Sequence, residues 1–446
     1  MALNLASPGI LVREVDLTIG RIDGSTGKIG GIVGPFEKGP VDVPVTITGE
    51  NEYVDQFGKP YEVDKHYETW MVGSSYLAYG GTLSVIRADD SGLKNAVGGG
   101  TSTSVKIKST DHYKELGYDE NTFDGAVVAA KNPGTWANGL RVAIIDGAAD
   151  QILSGLSGDV FTSAAVGMGV TQLVPAGTTI STATGISTID GIFKGIVTAK
   201  DSTVGTLDVK FLSHVSAAGV ETPKEQNSVY KFSNTGFITV RNNAGAGIGT
   251  ATYTGTSDWF ESQTFVTTTA TKGGSVTETT VKWETVADKP GTSEFAAARG
   301  GRFDEVHVLV IDAKGTVTGN AGTILEKHLS LSKAKDAEFS AGSPSYWRKY
   351  LYTNSSNIFG LNGSLIGTTP TGYSSGFTTE AGGNWDQDAE GVIFNSSGPF
   401  NGIIDNGTNY GGISTITGTG STGALNSGLG DLIAGYQIFE NDSVNN

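Results

Sequence analysis

Between residues 148 and 287 apolar and polar side chains alternate with a period of two, and this pattern constrains the fold more than any other feature. Leu207, Val209 and Phe211 alternate with Asp208 and Lys210. Ile238 and Val240 alternate with Phe237, Thr239 and Arg241, and Thr279, Val281 and Trp283 with Thr280, Lys282 and Glu284. Successive side chains of a strand point to opposite faces, so these runs read as half-buried antiparallel strands. The stretches between them are rich in Gly and Thr, and 65 of the 446 residues are glycine, which suits a fold of many short strands and turns.

The chain on either side reads differently. Ile29–Gly34 (Ile-Gly-Gly-Ile-Val-Gly) is expected as a buried strand with close backbone packing, followed by a turn at Pro35–Pro40 and a short strand at Val43–Ile47. Asn51–Phe57 fits a short helix stopped by Gly58. Asp64 caps a longer helix in which Tyr67, Trp70, Met71, Ser74, Leu77 and Ala78 recur at three- and four-residue spacing, a core-packing stripe. Gly80-Gly81 ends that helix and Leu83–Ala88 follows as a strand, so the unit is of α/β type.

Residues 91–122 are polar and Gly/Ser/Thr-rich, a linker or peripheral hairpin. Ala126–Ala130 and Leu140–Ile145 flank the turn Asn132–Gly139 and read as paired strands. Val306–Ile311 is a continuous apolar run, as expected of a strand covered on both faces. A mixed helical and loop region runs from Leu325 to about Phe359, residues 360–427 read as loop or hairpin, and Leu429, Leu432, Ile433, Tyr436 and Phe439 share one face of a helix. The fold class expected is a multidomain α+β or α/β chain: an incomplete α/β core, an inserted antiparallel β-rich domain and an extended N-terminal arm. The divisions are 1–20 for the arm, 21–90 for the first part of the core, 91–147 for a linker and β-hairpin region, 148–287 for the insertion, and 288–446 for the second part of the core.

Composition narrows the function classes. A length of 446 residues allows two to four domains at about 100–200 residues each. There is no cysteine, which excludes disulfides, thiolate metal sites and cysteine nucleophiles. The formal charge of −16, with no basic stripe, argues against nucleic acid as a partner. No apolar run approaches the length of about 20 residues needed to cross a bilayer, so direct membrane insertion is not expected, and the N-terminus has no secretory pattern.

No constellation of catalytic residues emerges, and the expectation is a non-enzyme without cofactors. There is no G-x-S-x-G elbow, and Gly20–Lys28 lacks the phosphate-loop spacing because Ile22 stands where the first glycine belongs. His66, His112, His214, His307 and His328 are scattered, with no i, i+4 pair. Asp386–Gly391 resembles half a calcium loop, but Ser397 occupies the twelfth position in place of glutamate, so no metal site is expected.

The N-terminal segment Ser7–Leu17 is an extended arm placed before any element that could bury it. Ile10 and Val12 alternate, the pattern slips by one residue, and Val15 and Leu17 resume it, as at a bend or bulge. Such an arm pairs with an open sheet edge in its own molecule or in a neighbour, and Ile10, Val12, Val15 and Leu17 are the candidate intersubunit residues.

The stretch that begins with this arm resembles the contractile tail sheath proteins of phages and related injection machines. The resemblance is carried in order by Ser7-Pro8-Gly9-Ile10, Glu14-Val15, Gly34–Pro40, Phe57-Gly58-Lys59-Pro60, the helix around Trp70, Tyr79-Gly80-Gly81 and Val85–Ala88. Asn132–Asn138 with Leu140–Val142 is a second match, Phe303–Ile311 a looser third, and Leu429–Phe439 resembles the helix that opens the family's conserved C-terminal region. Residues 148–287 and 360–427 carry no resemblance.

The resemblance implies a structural subunit of a virion tail, assembled in the host cytoplasm. Such subunits stack as hexameric rings around a tail tube and contract to drive the tube through the host envelope. The partners implied are other copies joined by strand exchange, the tail tube protein, the baseplate and the tail terminator. Family members continue past the last helix, so the chain is expected to be a fragment, monomeric by itself. The alternative reading is a non-contractile, adhesin-like virion or surface protein, with Trp259 and Trp283 as candidate glycan platforms.

Overall fold

The computed structural model describes residues 29–60, 66–101, 104–119, 123, 125–182, 185–224, 230–242, 246–272, 275–361, 388–394, 399–410 and 427–444. The chain divides into two compact units, 1–90 with 412–446 and 91–411. The arm, including Ile10, Val12, Val15 and Leu17, lies outside the described residues, as do Asp64 and most of the glycine-rich stretch 362–426.

The first unit is built on strands β1 (Ile29–Gly34), β2 (Pro44–Ile47) and β3 (Thr82–Arg87), with helices α1 (Glu50–Phe57) and α2 (His66–Ala78) between β2 and β3. β3 is central, parallel to β1 and antiparallel to β2, and Val85 lies opposite both Ile32 and Val45. Parallel neighbours need a long crossover, which the helices supply. The glycines of β1 thin the strand so that helices can close on both faces. A Cβ at Gly30 or Gly34 would lie 2.9 Å from the Tyr76 ring or 2.4 Å from Thr69, both on α2. A Cβ at Gly31 would lie 3.3 Å from the Phe439 ring of the helix Ser427–Val444, whose Gly435 packs on Val33.

The stripe of α2 faces inward less widely than its spacing suggests. Trp70, Gly73 and Leu77 are buried, whereas Tyr67 and Met71 are 40% and 50% exposed. Trp70 and Leu77 pack with Ile32, Ile47, Leu83 and Val85 of the small sheet and with Tyr53 and Phe57 of α1, which fills one side of the helix.

In the second unit the alternating block forms a barrel up to Asp258, while its last part, Thr264–Lys272 and Ser275–Lys282, is a separate two-stranded hairpin. The strands along the barrel's path are β4 (Gln151–Ser154), β5 (Gly169–Thr182), β6 (Gly185–Asp201), β7 (Thr206–Val215), β8 (Gly236–Arg241), β9 (Gly247–Tyr253) and β10 (Gly255–Asp258), and the short strand Glu221–Pro223 pairs with the end of β7 off this path. The order is β9-β8-β5-β6-β7-β4-β10, with every neighbour antiparallel. Only Thr254 separates β9 from β10, so both ends of the sheet are one stretch of chain and the sheet closes on itself. Thr254 N–H donates to Ser154 O at 2.9 Å across the seam. The interior is filled by Phe193, Phe211, Phe232, Val170, Val209 and Val240, as a narrow barrel requires.

Beside the barrel, Thr323–Ser332, Glu305–Asp312, Leu140–Asp146 and Phe400–Ile403 form a four-stranded sheet in that order. Its two central strands are buried along their whole length. Val142, Ile144, Val306 and Val308 face Trp136 and Trp347, while Ala143, Ile145, Leu309 and Ile311 face Trp259 and Trp283. The continuous apolar run at 306–311 is therefore a strand covered on both faces.

Three details differ from the sequence expectations. Val128–Ala130 does not pair with Leu140–Asp146; it pairs with Ile358–Gly360 and Val97–Gly98 in a separate sheet. The connection is a 3₁₀ turn at Thr135–Ala137 between Gly134 (φ 133°) and Gly139 (φ 102°), and buried Trp136 sends the chain into another layer. Residues 91–119 supply core side chains, among them Leu93, Val97 and Ile107, and the Asn95 amide bonds Ile107 on both backbone sides. Finally, Thr323–Ser332 is a ten-residue strand where helix and loop are expected.

Candidate assembly interface

The small sheet of the first unit is anchored by a buried guanidinium. Arg87, fully buried at the end of β3, donates from Nε to Phe36 O (2.8 Å), from Nη1 to Gly39 O (3.0 Å) and from Nη2 to Glu37 O (3.1 Å). It thereby fixes the turn after β1. Lys59 N–H donates to the Glu37 carboxylate (2.9 Å) and Trp70 Nε1 to Gly58 O (3.0 Å), with the Trp70 ring stacked on Tyr53 at 5.2 Å. Gly39 and Gly58 hold φ of 106° and 81°, so the turn takes a path that other residues would strain.

This scaffold presents two sheet edges. Among the described residues β1 and β2 each pair on one side only, with β3. An unpaired strand edge is a row of N–H and C=O groups that a further strand can join. Apolar side chains stand exposed on the same unit, including Ile29, Met71, Val72, Tyr79 (94%) and Tyr436. The residues expected to pair with such an edge, Ile10, Val12, Val15 and Leu17, are outside the described part.

Other candidates resolve into packing. Trp259 and Trp283, the possible glycan platforms, are 3% and 1% exposed in the core and offer no face to a sugar. His307 accepts from Ser330 N–H and meets Asp288 O, His328 pairs with Glu326, and His214 stacks on Tyr230. Residues 386 and 387 of the half calcium loop, and Gly20–Lys28, lie outside the described residues.

Several charged positions carry shifted protonation equilibria, with large shifts at Asp150 and Lys131. Burial by itself would raise the Asp150 carboxyl, but Lys289 (2.5 Å) and Lys224 (2.7 Å) outweigh it and hold it well below the usual carboxylate range. Lys131 is pushed down to about 8 by burial, although the nearby Glu326 carboxylate acts in the opposite direction. Its ammonium donates to Tyr352 O (2.7 Å) and Ser355 O (3.0 Å) and sits over the Phe359 ring.

No family model matches the chain. Over 90 residues it is 36% identical to the tail sheath protein of Vibrio phage KVP40 (isolate Vibrio parahaemolyticus/Japan/Matsuzaki/1991). Over that stretch the chain is similar to a tail sheath protein. The matched stretch is 20% of this chain and 13% of the phage protein, so the chain spans a small part of the relative's length. Among solved structures, the sheath tail protein Lin1278 from Listeria innocua is similar at 12% identity over 47% of this chain and 37% of that one, with a TM-score of 0.18, too low to bear on the fold.

Proposed function

We propose that this chain is part of a contractile tail sheath subunit, a structural and non-enzymatic component of a virion tail. In this reading subunits polymerise as hexameric rings around a tail tube and contract to drive the tube through the host envelope. Assembly takes place in the host cytoplasm. The partners are further copies, the tail tube protein, the baseplate and the tail terminator.

The observation that carries the reading is the 36% identity with a phage tail sheath protein. The small sheet supports it physically, because two strand edges without a neighbour among the described residues, held by the turn that Arg87 anchors, suit strand exchange between neighbours. An arm paired through Ile10, Val12, Val15 and Leu17 would take its affinity from backbone hydrogen bonds and its register from side-chain alternation. Energy for contraction would be stored in the lattice at assembly, with no nucleotide required.

Negative-stain electron microscopy of the full-length protein is the test. Tubes or rings of about sixfold symmetry are expected. Compact trimers or monomers at every concentration would overturn the reading.

A further inference from the structure

We propose that the groove at the mouth of the barrel binds an extended acidic peptide strand of a partner protein. The groove has a volume of about 1010 Å³ and belongs wholly to the second unit. One wall is the outer edge of β5. Beyond Thr171, where β8 stops pairing with it, β5 pairs only with β6, up to Val174 and again from Thr178 after a bulge at Pro175–Gly177, so at Leu173–Val174 and Thr178–Ser181 its other edge faces the groove without a described strand. The mouth of a barrel is a usual place for a ligand, and a bare strand edge there selects a ligand with its own backbone to pair.

Charge decides what kind of strand. The lining includes three lysines, Lys224, Lys231 and Lys289, and two aspartates, Asp150 and Asp258. Both carboxylates are turned to internal donors. Asp150 holds Lys224 and Lys289 and accepts from Phe211 N–H (2.7 Å), and Asp258 accepts from Phe260 N–H (2.8 Å) and Glu261 N–H (3.2 Å). Lys231 stands exposed in the lining. Three lysines against two aspartates leave one net positive charge, and with Lys224 and Lys289 held by Asp150 it is Lys231 that presents it to the groove; in a chain of formal charge −16 this attracts a carboxylate.

Apolar side chains give the strand its register. Leu173, 63% exposed, lies opposite Ile192 on β6, and Phe237, 53% exposed, has its carbonyl 3.5 Å from Gln172 Nε2 beside it. An incoming strand that alternates acidic and apolar residues would rest its apolar side chains on Leu173 in the lining and on Phe237 beside it, and turn a carboxylate to Lys231. A small anion would use the lysines and leave both the strand edge and the apolar pair idle.

Fluorescence anisotropy with the whole chain tests this, using a labelled heptapeptide of alternating Glu and Val. Controls are the same peptide with Lys for Glu, and the acidic peptide N-methylated at alternate residues. Saturable binding of the acidic peptide is expected, falling with added salt. It should be about tenfold weaker for both control peptides and for Lys231→Glu, with unchanged thermal unfolding of that variant. Equal binding of the lysine peptide, full affinity of the N-methylated peptide, or full affinity of Lys231→Glu would overturn the proposal. So would complete displacement by inorganic phosphate, which would mark a small-anion site, or no saturation at about 1 mM peptide.

Discussion

Arg87 shows how much a single side chain can organise. Its three bonds to backbone carbonyls have no substitute in a residue of similar length without donors, so Arg87→Met leaves buried carbonyls unpaired. We expect a loss of about 2–4 kcal/mol in urea unfolding. Gly73 makes a steric prediction: a Cβ there would lie 2.5 Å from the Tyr53 hydroxyl, on a ring already stacked on Trp70. Gly73→Ala should cost about 1–3 kcal/mol by the same measurement. For Asp150 the folded carboxyl titrates below its unfolded value of about 3.9, so its contribution is complete above that pH and is lost as the pH falls below it. The stability gap between the native chain and Asp150→Asn should therefore narrow between pH 7 and pH 3. Residue-level placement was only partly legible in the sequence. Glycine spacing in β1 pointed to close packing, but nothing local distinguishes buried Arg87 from an exposed strand-end arginine, or exposed Met71 from buried Trp70.

At the scale of elements, alternation identified the strands but not their partners. Leu207, Val209 and Phe211 are fully buried, as their period implies, because each faces the barrel interior. Closure was not legible, since it depends on which strands meet across the seam, and side-chain period is the same in an open sheet and a closed one. The same limit explains Val128–Ala130 and Leu140–Asp146: two apolar runs around a turn look like a hairpin until Trp136 is known to be buried between layers. The seam offers a direct test. Thr254→Pro removes the donor to Ser154 O and should destabilise the barrel by about 3 kcal/mol. Amide hydrogen exchange should rise in Gln151–Ser154 and Gly247–Asp258 and stay unchanged in β1–β3.

For the whole molecule, the resemblance to tail sheath proteins read from the first 90 residues rests on motif order, not on any one motif, and a 90-residue similarity to one such protein agrees with it in kind. The barrel has no counterpart in that signal. Deleting residues 1–20 from the full-length protein should leave both units folded by circular dichroism and abolish ordered polymerisation in the electron microscope. Normal tubes from the deletion would remove the arm from the assembly mechanism.

The seam also has a kinetic consequence. Asp258 pairs with Gln151, more than a hundred residues earlier, so the contact that completes the barrel is among its most distant in sequence. Loop closure over such a span is slow, and rates fall as contacts become less local. On a ribosome, Gln151–Ser154 would emerge long before its seam partner and wait with an unpaired edge. Vulnerability to mispairing should therefore peak during synthesis and end abruptly when Gly247–Asp258 arrives.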